Sequence, residues 1–325
     1  MKGKRVLVIS LTVIFLLLLL LFLVLDKGEV KFRKSEKEFL FGNFSGTNVS
    51  FIKIFFRDYY ERDKVFDYIT FKSNDCWYVS YSNIVDRIDQ KLGNFMANIL
   101  SDIEKIDTLT NELPSDAIDT FGISKPNAII TFDIGKKTNK IIVGNLTPTK
   151  DYYYSVVNDN TNTFYLIYAY KIDNLLKYPY EMRDKNILTK EWTTNIISIE
   201  YRPLNSDQEF LFTNRNRNWY SIKPSEKEID SIYIENSFLK DLRSIKISIF
   251  VDDKKARSEL LKNTPKGYIK LHNFTNTFVL QVLKVENTNI YCYDPQRDLV
   301  FGIDYESSYY LFSSPFEKFL KVTNK

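Results

Sequence analysis

The chain says the same thing twice. Phe71-Lys72-Ser73-Asn74-Asp75-Cys76-Trp77-Tyr78 is answered by Phe212-Thr213-Asn214-Arg215-Asn216-Arg217-Asn218-Trp219-Tyr220. Each copy reads as a strand, a polar turn carrying Asn, and a second strand that opens on tryptophan. An alternating segment precedes each, around Ile52-Lys53-Ile54 and Ile197-Ser198-Ile199. Further on, Phe121-Gly122-Ile123-Ser124-Lys125-Pro126 answers Leu261-Lys262-Asn263-Thr264-Pro265, and Tyr178-Pro179-Tyr180-Glu181 answers Ser314-Pro315-Phe316-Glu317. The offsets are 145 for the first strands, 142 for the tryptophans, then 139 and 136 for the prolines. They fall in small steps, as loop deletions produce, whereas unrelated matches scatter. The expected body is therefore one unit built twice: a first repeat over residues 46–182, a connector over 183–195 and a second repeat over 196–325.

Periodicity fills in each unit. Ile84, Val85, Ile88, Leu92, Phe95, Met96, Ile99, Leu100, Ile103 and Ile106 follow the spacing of one helical face, with Ser82 or Asn83 as its cap. The second copy predicts a helix near 231–244 capped by Asp230 or Ser231. Short helices are expected over 115–121, stopped by a left-handed Gly122, and over 252–262, stopped by Asn263. Strands are expected over 128–133, 139–143, 152–157 and 163–168, and again over 268–272, 277–283, 288–293 and 299–303. Strands and helices are segregated rather than alternating, which predicts an α+β fold with antiparallel sheet. Trp77 and Trp219, at equivalent strand positions, read as core anchors.

Before the body lies an apolar run. Val6 to Leu25 is 20 residues without a charge, long enough as a helix to span about 30 Å of hydrocarbon. It exceeds the apolar core of a cleaved signal peptide, and Val24-Leu25-Asp26-Lys27 offers no small-residue cleavage site. The expectation is a transmembrane helix over residues 6–25, a cytoplasmic tail over 1–5 and a linker over 26–45. Lys2, Lys4 and Arg5 on the short side favour a body outside the cytoplasm, at the inner membrane.

Composition removes most catalytic classes. The chain has 45 basic and 41 acidic residues, and a net charge of +4 is too small to argue for a nucleic-acid partner. One histidine, His272, and two cysteines, Cys76 and Cys292, exclude a Cys- or His-rich zinc cluster within one chain. No phosphate-binding glycine loop occurs. Arg215, Arg217 and Lys223 read as a solvated hairpin tip. Asp252, Asp253, Glu226, Glu228 and Asp230 flank helix starts, where carboxylates cap the backbone. His272 reads as an ordinary strand residue. Tyr152, Tyr153, Tyr154, Tyr165, Tyr168 and Tyr170, with Tyr291, Tyr293, Tyr305, Tyr309 and Tyr310 in the second unit, stay open. Alternate strand residues face opposite sides, so either some leave the core or the sheet is covered twice. No catalytic, cofactor-binding or metal-ligating residue is assigned.

This layout resembles the family known as domain of unknown function 4340. Phe121-Gly122-Ile123-Ser124-Lys125-Pro126 is similar to its Tyr-Gly-Leu-x-x-Pro, and Ile141-Ile142-Val143-Gly144-Asn145 to its strand ending in Ile-Gly. The tyrosines at 152–154 and Arg183-Asp184-Lys185, similar to its Leu-Arg-Asp segment, continue the likeness over roughly residues 45–320. Phe121, Ile123 and Met182 depart from the pattern conservatively. The resemblance implies a bacterial membrane-anchored protein of the kind encoded beside gliding-type ABC transporter subunits, without catalytic residues to carry over. The expected function is a non-catalytic accessory or structural subunit of an envelope or ABC-transporter complex. Its partners would be membrane lipid through residues 6–25 and integral-membrane transporter subunits. The alternative is a stand-alone ectodomain that binds a small molecule or glycan.

Overall fold

A computed structural model describes residues 37–321 except 59, 60, 62, 111–115, 189–191, 193, 194 and 205. The tail over 1–5, the apolar run over 6–25 and the linker up to residue 36 lie outside the described residues. Among the described residues no helix is long and apolar enough to cross a membrane.

The first unit opens with a meander of β1 (Val49–Arg57), β2 (Val65–Ser73), β3 (Cys76–Tyr81) and β4 (Ile84–Arg87). Helix α1 (Gln90–Ser101), β5 (Asp107–Leu109) and α2 (Ala117–Thr120) follow. A second meander of β6 (Ala128–Ile134), β7 (Lys137–Leu146), β8 (Tyr152–Val157) and β9 (Phe164–Tyr168) leads to α3 (Ala169–Leu175) and α4 (Pro179–Met182). The second unit repeats the series. Its strands are β10 (Ser198–Arg202), β11 (Phe210–Arg215), β12 (Asn218–Lys223), β13 (Lys227–Glu228), β14 (Ile247–Phe250), β15 (Gly267–His272), β16 (Thr277–Val285), β17 (Asn289–Asp294) and β18 (Leu299–Asp304). Its helices are α5 (residues 231–244, π-helical over Ile234–Phe238), α6 (Lys254–Leu261) and α7 (Tyr305–Phe312), followed by a 3₁₀ turn at Phe316–Phe319.

The sheets run β4-β3-β2-β1-β6-β7-β8-β9-β5 and β13-β12-β11-β10-β15-β16-β17-β18-β14. The second order is the first with nine added to every strand, so the duplication extends to topology. Every pairing is antiparallel, and the fold is α+β in two sheet units.

The tryptophan hairpins turn on Asn74-Asp75 and Asn216-Arg217, all four with positive φ, as two-residue turns between twisted strands require. Trp77 and Trp219 then enter the two cores with 1% and 0% exposure. Their indole N–H groups donate to Asn94 Oδ1 (3.0 Å) and Glu235 Oε1 (2.9 Å) on the covering helices. Their backbone N–H groups donate to Gln90 Oε1 and Ser231 Oγ, which fasten each helix start to its strand. Gly93 in α1 lies flat on the first indole, and a Cβ there would stand 2.4 Å from Trp77 Cγ.

Three sequence expectations need correction. Ile84, Val85 and Ile88 do not start a helix. Ile84–Arg87 pairs with β3, Ser82 turns the chain with positive φ, and α1 starts only where Asp89 accepts from Lys91 and Leu92 N–H. Asn263 closes α6 by donating its side-chain amide to Glu259 O and Leu260 O, not through a left-handed backbone. Third, Ile54 lies opposite Tyr68 and Ile130, and Tyr201 opposite Phe210 and Ile269, so the first strands are offset by 147, not 145. The slip of two residues was invisible to patterning because it leaves every side chain on its own face.

Chain segments close all four outer sheet edges, with Leu320 bridging to Ile229 beside β13. Lys105 N–H donates to Glu38 O, and Phe39 bridges to Glu104 beside β5. Ile247 N–H donates to Lys185 O, and Asn186 bridges to Lys246 beside β14. These pairs carry the same offsets, 147 and 142, so residues 38–39 and 185–186 are equivalent edge covers. Just upstream of the latter, Asp184 N–H donates to Arg87 O at the end of β4. Residues 184–186 therefore touch both sheets and join them edge to edge.

Replacing either tryptophan by alanine should cost about 3–5 kcal/mol in chemical denaturation, the usual range for emptying a large aromatic site. Gly93→Ala should lower stability as well, against alanine's better helix propensity, because the new methyl strikes the indole.

Candidate functional site

Charged side chains are concentrated at the seam between the units. Arg183 follows α4 and is buried, its side chain 2% exposed. Its Nε donates to Asp86 Oδ2 of β4 at 2.7 Å. Its terminal nitrogen donates to both oxygens of Asp252, in the second unit, at 2.8 and 2.7 Å. The guanidinium also lies over the Phe250 ring, 3.7 Å from its centroid. From the other side Arg297, in the β17–β18 turn, donates to Asp86 Oδ1 at 3.0 Å and to the carbonyls of Asp184 and Asn186. Arg87 pairs with Asp184 at 3.0 Å, and Asp184 accepts from Asn186 N–H.

The seam thus holds three arginines against Asp86, Asp184, Asp252 and Asp294. Burial works against the Arg183 charge, but Asp252 and Asp86 outweigh it and hold its pKa above the ordinary value. Burial pushes the Asp294 carboxyl up, opposed by backbone N–H groups of Arg297 and Gln296. Chemically this is a clamp: Arg183 is matched by one carboxylate from each unit, and Arg297 of the second unit reaches Asp86 of the first. The sequence pointed to Arg183-Asp184 only through the family resemblance. Asp252, read there as a helix-start residue, instead serves Arg183, while its neighbour Asp253 caps α6 through Ala256 N–H. Arg297 and Asp86 carried no local signal.

The remaining candidates are dispersed. His272 Nδ1 lies 2.9 Å from Thr277 Oγ1, and its Nε2 lies 3.1 Å from Glu200 Oε1. A hydroxyl, an imidazole and a carboxylate in line can move a proton. However, Glu200 is shared with Lys270 at 2.6 Å, and His272 and Thr277 are simply opposite one another on β15 and β16. The equivalent pair in the first unit is Asp133 and Thr138, also opposite and hydrogen-bonded at 2.7 Å. The contact is a cross-strand polar pair that both units make. Asp230 caps α5, Glu226 pairs with Arg215, and Glu228 with Lys321. Arg217 sits in the hairpin turn, and Lys223 is exposed at the end of β12. Both cysteines are free thiols. Burial pushes the Cys292 thiol far up, which makes it unreactive. Among the described residues no group of three or more His, Cys, Asp or Glu is placed to hold a metal ion. An open depression along α6 is lined by Lys254, Arg257, Ser258, Leu261 and Lys262.

The tyrosines divide. Tyr153 is in the core and donates to Asp173 Oδ1 at 3.0 Å. Tyr154 points to the opposite face and stacks on Phe121, with centroids 4.2 Å apart, beside a small second cluster of Ala117, Ile123, Val156 and Phe164. The sheet is therefore covered on both faces at that end. Tyr152, Tyr168 and Tyr170 form a partly solvated row outside both clusters.

A family model described as Domain of unknown function (DUF4340) matches residues 82–264, more than half of the chain. The chain belongs to that family. The match runs from the turn before β4 to just past α6, so it crosses the Arg183 seam instead of covering a single repeat. No curated protein and no solved structure matches the chain.

Arg183→Met should cost about 3 kcal/mol, because it leaves the buried Asp86 with Arg297 alone and takes away the cation that Asp252 holds. It should also split one calorimetric transition into two as the units uncouple; a single transition at the wild-type temperature would refute the clamp. His272→Asn, which can keep the bond to Thr277 without setting a second carboxylate beside Glu200, should stay within about 0.5 kcal/mol of wild type by thermal denaturation.

Proposed function

We propose that the chain is a non-catalytic, single-pass inner-membrane protein. Residues 6–25 form the span, residues 1–5 lie in the cytoplasm, and the two-unit body works outside it as an accessory or structural subunit of an envelope or ABC-transporter complex. The observation that carries this reading is the uncharged 20-residue run at Val6 to Leu25. A seam whose arginines and carboxylates pair across the two units favours a structural over a catalytic role for that cluster. A body held at a membrane works at high effective concentration, so a modest interface suffices for partners in the same plane. Integral-membrane transporter subunits are the partners this favours.

Two measurements test the reading. Protease added to spheroplasts should digest the body, and protection until lysis would reverse the topology. Purification of the full chain from membranes in mild detergent should bring transporter subunits with it, and recovery of the chain alone would remove the accessory role. Turnover of a nucleotide, ester or glycan, lost on changing one carboxylate, would overturn the non-catalytic part.

A further inference from the structure

The two units share a topology, so each position in one has a counterpart that shows what the fold itself requires. At most buried positions the counterparts agree in kind. In one partly solvated row they do not. Tyr152 of β8 lies opposite Tyr168 of β9, and the matching pair in the second unit is Asn289 of β17 opposite Asp304 of β18. Tyr170 is the second residue of α3, and its counterpart, second in α7, is Glu306. Three tyrosines thus stand where the same fold is content with Asn, Asp and Glu.

The first unit gives something up for them. Asp304 caps α7 by accepting from Ser307 N–H, whereas Tyr168, at the same N-cap position of α3, makes no side-chain cap. The rings touch each other, with centroids 5.2 Å apart for Tyr152–Tyr168 and 5.4 Å for Tyr168–Tyr170, and Tyr170 is 55% exposed. A helix cap has been exchanged for a solvated aromatic row.

The row's position identifies what it meets. Lys37, the first described residue, interacts electrostatically with both Tyr168 and Tyr170. Twelve residue steps separate it from Leu25, the end of the apolar run, and twelve steps reach at most about 40 Å. The neighbouring cations are already neutralised, Lys37 by Glu104, Lys105 by Glu38 and Lys171 by Asp102. Amphipathic rings with an internally paired rim suit the headgroup–glycerol layer of a phospholipid bilayer, where tyrosine is enriched. We infer that Tyr152, Tyr168 and Tyr170 form a membrane-resting surface that seats the first unit on the lipid interface beside its own anchor.

This inference rests on the anchored reading above, and the test separates the two. The full chain is reconstituted in vesicles of phosphatidylcholine brominated on its acyl chains, as Tyr170→Trp and, separately, as Ile232→Trp. Ile232 is 71% exposed on α5, beside the far edge strand β13. The resident Trp77, Trp192 and Trp219 are buried and set the background. Tyr170→Trp should be quenched well above background, equally at low and high salt, and Ile232→Trp should not. Adding Tyr152→Asn and Tyr168→Asp to the Tyr170→Trp chain should return its quenching to the Ile232→Trp level, with thermal stability maintained or raised by the restored cap. If Tyr170→Trp matches Ile232→Trp while the chain resists carbonate extraction, the anchor stands, the membrane surface is overturned, and a protein partner becomes the occupant. If carbonate releases the chain, the anchor reading falls and this one with it. Quenching that survives the double substitution would also overturn the role given to the tyrosines.

Discussion

A buried guanidinium is tolerated only where carboxylates reach it, and the placement of the two units follows from that requirement at Arg183. Taking such a charge out of water costs several kcal/mol, and only close, well-oriented partners offset it. Asp86 comes from the first unit and Asp252 from the second, so neither unit alone satisfies the cation. The planar fork suits this task because it holds two carboxylates in fixed directions while its face lies on Phe250. Arg297 works in the reverse sense, sent from the second unit to Asp86 of the first. A seam built of such reciprocal pairs specifies one docking geometry.

The backbone makes the same join. An open sheet edge is a template for unwanted pairing, and a duplicated sheet doubles the problem. The chain answers with one short segment, whose Asp184 N–H meets the β4 side while its Lys185 carbonyl accepts from Ile247 of β14. The matching segment of the first unit is residues 38–39, beside β5. What looked like a linker before each repeat is therefore an edge strap belonging to it. It escaped sequence reading because a strap of a few residues has neither period nor propensity.

Legibility followed the range of each interaction. The duplication, the α+β class and the tryptophan cores were readable because they depend on local chemistry: turn residues such as Asn74-Asp75, and alternation along strands of five residues or more. Ile84–Arg87 was misread because Ile84, Val85 and Ile88 fit the spacing of the helix that follows, and Asp89, the true cap, lies inside that apparent run. β5, β13 and β14 were not readable at two to four residues each. The seam was least readable of all, since Arg183 and Asp252 are 69 residues apart and Asp86 and Arg297 are 211 apart. Nothing local marks either pair.

Internal duplication supplies a control within the molecule. Where counterparts perform the same task, the fold is its cause: Asp89 and Asp230 cap equivalent helices, and Asp133 and His272 each bond the threonine opposite. That comparison weakens a catalytic reading of His272 more than its solvent exposure does, because a carboxylate does the same work in the first unit. Where counterparts differ in a buried site, packing explains it: Ser155 and Cys292 are both fully buried and similar in size. Only an exposed difference that sacrifices local stability lacks a cause inside the fold. Function in this chain is therefore to be sought where its two halves disagree on the surface, a criterion that the seam, being unique to the join, cannot meet.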